Sequence, residues 1–246
     1  MSLPVHLVPS LAGAAAGDRV EVEGDEAHHA VAVRRLRVGE PVVLTDGAGT
    51  SVVGEVSSTG KRVFAVTVAS VSADPAPDPA VDVVQAIPKG DRGELAVEVL
   101  TEVGVARIVP WAASRSVAVW KGERVDRSLA RWRATARQAA KQARRSWLPE
   151  VTPLATTAEV ASLLASADLA VVLHEEASTP LAGLDVPPSG RITVVVGPEG
   201  GLSDEEVAAF TDAGAVAVRL GAEVLRTSTA GVAAVSALLA RTPRWS

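Results

Sequence analysis

A chain of 246 residues, 48% hydrophobic and 22% charged, has room for one large domain or two small ones with a sizeable core. It contains no cysteine, which excludes disulfides and thiolate metal sites, and neither a basic-then-apolar leader nor an 18-residue apolar run, so a soluble cytoplasmic protein is the simplest expectation. The net charge of −5 argues against a generally polyanion-binding surface, but the charge is unevenly spread.

The chain begins with short β-type runs at 19–22, 42–45, 51–56 and 62–71, separated by turn signals such as DGAG and SSTG, a pattern that predicts a small barrel or sandwich. One helix-like segment, DEAHHAVAVRRLRVGE at 25–40, interrupts them. Its Arg34, Arg35 and Arg37 are candidate RNA contacts, or else suit a helix C-terminus electrostatically. His28 and His29 are adjacent, do not share a helix face and have no third ligand nearby, so no metal is expected. ADPAPDPA at 73–80 resists both helix and sheet and reads as a linker between residues 1–72 and 81–246.

Beyond it, apolar strands predicted at 81–87, 106–109, 169–173, 192–196 and 215–220 alternate with helices at 92–103, 127–145, 158–165, 204–213 and 229–241. That alternation predicts an α/β domain with a parallel sheet covered on both faces and ligands beyond the carboxyl ends of the strands. Lys89 and Arg92, just past one such end, are candidates for an RNA path. From Lys121 to Arg145 nine basic residues oppose two acidic ones, so this stretch carries +7 and the remainder of the chain −12. On a helical wheel Leu129, Trp132, Ala136, Ala139, Ala140 and Ala143 form one arc, and Arg133, Arg137 and Lys141 fall with the other cations opposite. Like charges four residues apart repel, so the face is read as facing RNA or DNA phosphate rather than as plain solvated surface. Trp120 and Trp147 flank it, as core residues or as stacking platforms.

VVVGPEGGLSDEEV, 194–207, is a strand running into a glycine loop, with Ser203 and Glu206 spaced as a capping box at the next helix start. The P-loop, dinucleotide and nucleophile-elbow patterns are absent. RLGAEVLRTSTAG, 219–231, repeats the strand-to-loop-to-helix arrangement, and the two loops are expected to form two walls of one pocket.

VVVGPEGGLSDEE followed by LGAEVLRTSTA closely resembles the RsmE family of 16S rRNA uridine-N3 methyltransferases, of the SPOUT class. DEAHHAVAVRRLRVGE, IPKGDRGELAVEVLTEVGVARIVPW and ARQAAKQARRSWLPEV resemble further motifs of that family, in order and nearly end to end. The resemblance implies a small PUA-like β-barrel RNA-binding domain over 1–72, then a C-terminal SPOUT trefoil-knot domain with a parallel sheet over 81–246. It implies a homodimer acting on 16S rRNA or the small ribosomal subunit, with S-adenosylmethionine as cofactor and no metal. The cofactor is expected against Leu173, His174 and Glu175, against Gly197, Pro198, Glu199, Gly200 and Gly201, and against Leu220, Gly221, Leu225, Arg226, Thr227, Ser228 and Thr229. Arg226 is the candidate catalytic cation, or it holds the knot or the dimer partner; Glu199 is placed to steer the cofactor's positive end or to favour a helix N-terminus. One departure stands out: Ser228 occupies the position where the family usually has Glu. A SPOUT enzyme with another rRNA or tRNA target, and a non-catalytic RNA-binding homologue, are the alternatives.

Overall fold

The computed structural model describes residues 3–245 and divides into two units. The first comprises the chain up to Ala76 together with Lys141–Leu148. Its sheet contains β1 (Val5–Leu7), β2 (Arg19–Glu23), β3 (Pro41–Thr45), β4 (Thr50–Thr59) and β5 (Val63–Ala73), in the order β1-β3-β4-β5-β2. All pairs are antiparallel except β1 with β3. The alternation of Val42, Leu44, Val52, Val56, Phe64 and Val66 with polar residues puts one face into a core closed by Leu11, Ala27, Ala30 and Leu36.

The helix expected over 25–40 is shorter. α1 (Gly24–His28) widens into a π-helical turn, His29–Val33. Arg35 then adopts φ +57, which no helix accommodates, and Leu36 turns back into the core.

Lys141–Leu148 completes this unit, so the division at 73–80 is not the only one. The amide of Gly49 donates to Ser146 and that of Leu148 to Gly47. A Cβ on Gly49 would stand 2.7 Å from the indole of Trp147, so the turn before β4 accepts that ring only as glycine. The Trp147 Nε1 donates to the carbonyl of Asp74, which makes it a packing residue rather than a free stacking platform.

The second unit is the α/β part. β6 (Ala80–Ala86), α2 (Arg92–Glu102), β7 (Arg107–Trp111), α3 (Glu123–Gln142, of which the residues up to Ala140 belong here), β8 (Glu150–Val151), α4 (Thr157–Ala165), β9 (Leu169–Leu173), β10 (Arg191–Val196), α5 (Asp204–Asp212), β11 (Val216–Val218) and α6 (Thr227–Leu239) follow in turn. The six strands are all parallel, in the order β11-β9-β10-β6-β7-β8. Val83, Val171, Ile192, Val194 and Val196 face α2, α3 and α6; Val84, Val172 and Val195 face α4 and α5. Both faces are therefore dry, which is why the strands read as unbroken apolar runs.

α3 buries Leu129, Trp132, Ala136, Ala139 and Ala140. Trp120 packs edge-on against Trp132 with ring centres 5.0 Å apart, as core. The helix stops at Gln142 rather than at Arg145, because Arg144 takes φ +54 and the chain leaves for the first unit. No helix among the described residues is long and apolar enough to cross a membrane.

Candidate active site

In a parallel sheet the carboxyl ends of the strands open at one edge, and loops leaving neighbouring strands meet there. β11, β9 and β10 are adjacent, so their following loops converge. The amide of His174 donates to Val218, and Leu181 and Thr179 bond to Arg219, so the first loop is stitched to the third. Between these loops lies a cavity of about 590 Å³.

Leu173, His174 and Glu175 line it from β9, Gly197, Pro198, Glu199, Gly200 and Gly201 from β10, and Leu220, Gly221, Leu225, Arg226 and Thr227 from the last loop. Ser228 and Thr229 do not. α6 begins at Thr227 rather than at 229, with Arg226 as its N-cap, so both residues sit in the first helical turn. There Ser228 is turned inward and 4% exposed, while the Thr229 hydroxyl bonds back to the Arg226 carbonyl.

The cavity mixes charges of both signs. Glu175, Glu176, Glu199, Asp204 and Glu223 share the lining with Arg92, Arg115, Arg219 and Arg226. Glu199 is partly committed: its Oε1 accepts from the amide of Lys89 at 3.1 Å and lies 3.9 Å from Arg92 Nη1. That carboxylate ties the glycine loop to the loop after β6, and Arg92 lines the cavity beside it. Lys89 borders an adjoining hollow with Arg92 and Leu95. The guanidinium of Arg226 has no hydrogen bond or ion pair among the described residues. Its backbone holds the helix start by accepting from the amides of Thr229 and Ala230. His174 Nδ1 accepts from the amide of Glu176 at 3.2 Å.

Two contributors escape a reading of motifs. Arg115, at the end of β7, lines the cavity from a loop that carries no glycine signal; its place past a strand end was the available clue. Gln85, fully buried near the end of β6, donates to the carbonyls of Ala86 and Thr227 and so pins the first residue of α6.

The candidate RNA-contacting residues fall in several places. Arg34, Arg35 and Arg37 are exposed on the first unit, together with His28, His29, Val33 and Val38. Arg133 and Arg137 are exposed on α3, Arg133 donating to the carbonyl of Val151. Lys141 departs from the expected face. Its ammonium is buried within the first unit against Glu26, whose carboxylate also meets His6 Nδ1 at 3.2 Å. Burial alone would raise the Glu26 carboxyl, but hydrogen bonds from His6 and Lys141 and the charge of Lys141 outweigh it and hold the pKa at about 2. Among the described residues no three His, Asp or Glu side chains gather as a metal-sized group.

Known proteins share this architecture. The sequence pattern of an RNA methyltransferase domain matches residues 75–239, and that of an RNA methyltransferase PUA domain matches residues 22–68. The ribosomal RNA small subunit methyltransferase E of Mycobacterium tuberculosis is 45% identical over 228 residues, 91% of this chain and 87% of that one. The protein of the same name from Bacillus subtilis is 28% identical over 225 residues, 88% of each chain. The crystal structure of a ribosomal RNA small subunit methyltransferase E from Neisseria gonorrhoeae bound to S-adenosyl methionine superposes with a TM-score of 0.89 at 27% identity, covering 98% of both chains. The chain thus joins a PUA domain to an RNA methyltransferase domain, and it belongs to the ribosomal RNA small subunit methyltransferase E family.

Proposed function

We propose that this protein transfers the methyl group of S-adenosylmethionine to N3 of a uridine in 16S rRNA. The observation that carries the reading is the cavity at the strand ends, because its lining suits that donor. None of the backbone amides from Leu220 to Leu225 has an acceptor among the described residues, so the last loop offers a row of free donors for the edge of a purine. Leu173, Val196, Val218 and Leu220 supply apolar surface. Glu175 and Glu223 suit the sulfonium and ammonium charges, and the arginines suit the carboxylate. The volume falls in the usual range for a ligand of that size.

When bound, the cofactor supplies a methyl group on a sulfonium leaving group, so the sulfur departs as a neutral thioether and no redox step is needed. The chain's own work is alignment of the uracil nitrogen with that methyl. Arg226, unpaired among the described residues and at the cavity wall, is assigned the negative charge that develops on the uracil carbonyls as the N3 proton passes to solvent.

A homodimer and a cytoplasmic location are part of this reading. A trefoil knot is too, supported by the chain path: from edge strand β11 the polypeptide returns across β9 to lay α6 against β6 and β10. The exposed Arg34, Arg35, Arg37, Arg133 and Arg137 are assigned to RNA phosphates. The division into a domain over 1–72 and one over 81–246 is kept, with 141–148 added to the first. Calorimetric titration with S-adenosylmethionine tests the core of the proposal: micromolar or tighter binding is expected, and no binding at millimolar cofactor would remove it.

A further inference from the structure

The loop after β7 forms a wall of the cavity that neither glycine-bearing loop accounts for. Glu206, 4% exposed, accepts from the amide of its own N-cap Ser203 at 2.9 Å and from the amide of Ser114 at 2.7 Å. Arg115 Nη1 donates to the carbonyl of Leu202 at 2.9 Å. The carbonyl of Arg115 stands 2.8 Å from where a Cβ of Gly200 would be. A buried carboxylate and a guanidinium therefore lock residues 114–115 to residues 200–203, and they do so from the far side of β6.

This lock spends one of the five N–H donors of Arg115 and leaves the others without an acceptor among the described residues. Arg92, by contrast, sits 3.9 Å from Glu199 and is electrostatically matched within the protein. No carboxylate lies within 4.0 Å of the Arg115 guanidinium among the described residues; Glu205 feels its charge from farther off, and Arg115 lines the cavity. A planar donor fork held by a carbonyl on one side, with its remaining donors lacking an acceptor among the described residues, is complementary to a carboxylate.

We propose that Arg115 is the residue that receives the carboxylate end of the methyl donor, and that its bond to Leu202 keeps the fork in place before the ligand arrives. This rests on the reading of the cavity as the S-adenosylmethionine site. Preorganisation of this kind acts on affinity, not on the chemical step.

The test is calorimetry on the full-length wild type, Arg115→Ala and Arg115→Lys with three probes: S-adenosylmethionine, S-adenosylhomocysteine and 5′-methylthioadenosine, which lacks the carboxylate. Arg115→Ala is expected to weaken the first two by about tenfold or more and to leave the third within about twofold. Arg115→Lys restores part of the loss, since an ammonium reaches a carboxylate but cannot form the fork. In turnover, the KM for the donor rises while kcat at saturating donor holds. Equal losses for all three probes would mean that Arg115 only shapes the loop, and unchanged affinities would mean that it does neither; both overturn the proposal. A wild type that binds none of the probes overturns the cavity reading itself, a result distinct from either.

Discussion

The ammonium of Lys141 lies 2.5 Å from the Oε1 of Glu26, a residue 115 positions earlier in the chain. That contact removes Lys141 from the basic face of α3 and makes it part of the first unit's own packing. Taking away one partner of a largely buried pair strands the other, which costs more than the pair is worth against two apolar residues. Lys141→Met is expected to destabilise the fold by about 2–4 kcal/mol, read from the urea midpoint at neutral pH. A midpoint shift within error would show the pair to be idle.

The same carboxylate sets an acid limit. Its folded pKa of about 2 lies below the ordinary 4.5, so the ionised form stabilises the fold. That contribution is complete above about pH 4.5 and is lost as pH falls from there towards 2. The stability of Glu26→Gln is expected to fall less steeply than that of the wild type across this window. Parallel curves would place the acid sensitivity elsewhere.

Gly200 has an ordinary φ, so only space restricts it, and the space is taken by the Arg115 carbonyl at 2.8 Å and the Arg115 Cβ at 3.1 Å. Gly200→Ala must displace the wall between the two loops. Donor affinity is expected to fall about tenfold or more with little change in thermal midpoint, because the clash lies at an exposed loop and not in the core. Retained affinity would mean that the wall yields freely.

Arg137 tests the basic helix more cleanly than Arg133, whose guanidinium already holds the Val151 carbonyl. Arg137→Glu is expected to weaken binding of a 16S rRNA fragment and to lower the log–log salt slope by about one, as for the loss of one phosphate contact. An unchanged slope would make α3 scaffold only.

Arg226 and Ser228 make a contrasting pair two residues apart. Arg226→Ala is expected to cut kcat by about a hundredfold, as for removal of one donor to a developing oxyanion, with the fold intact since the guanidinium has no hydrogen bond or ion pair among the described residues. Ser228→Ala is expected to leave kcat within about threefold, because Ser228 faces inward from the first turn of α6 and does not line the cavity. A large Ser228 effect with a small Arg226 effect would reverse the assignment and revive the acid usually found in the family as a true participant.

Much of the site was legible because glycine loops after apolar strands announce a carboxyl-end pocket, and β9, β10 and β11 being neighbours makes their loops meet. The last helix begins at Thr227, two residues before its expected start at 229; on a helix that shift decides which side chains face the cavity, and Ser228 and Thr229 do not line it. Arg115 was not legible, since β6 lies between β7 and β10 and only the folded sheet brings their loops together. Nor was the role of 141–148: the run of cations looks continuous in sequence, and it is the left-handed turn at Arg144 and the glycines at 47 and 49 that send its last part into the first unit. The wheel correctly separated Trp132 from Arg137, but a wheel cannot say what a buried glutamate from another element will neutralise.

Nucleoside mass mapping of 16S rRNA from cells lacking this gene tests the transfer of a methyl group to a uridine N3 in that RNA. Loss of one 3-methyluridine is expected, restored by the wild-type gene and not by the Arg226→Ala variant. A complete 3-methyluridine content in the deletion strain, or a missing modification in tRNA or large-subunit rRNA instead, would contradict it.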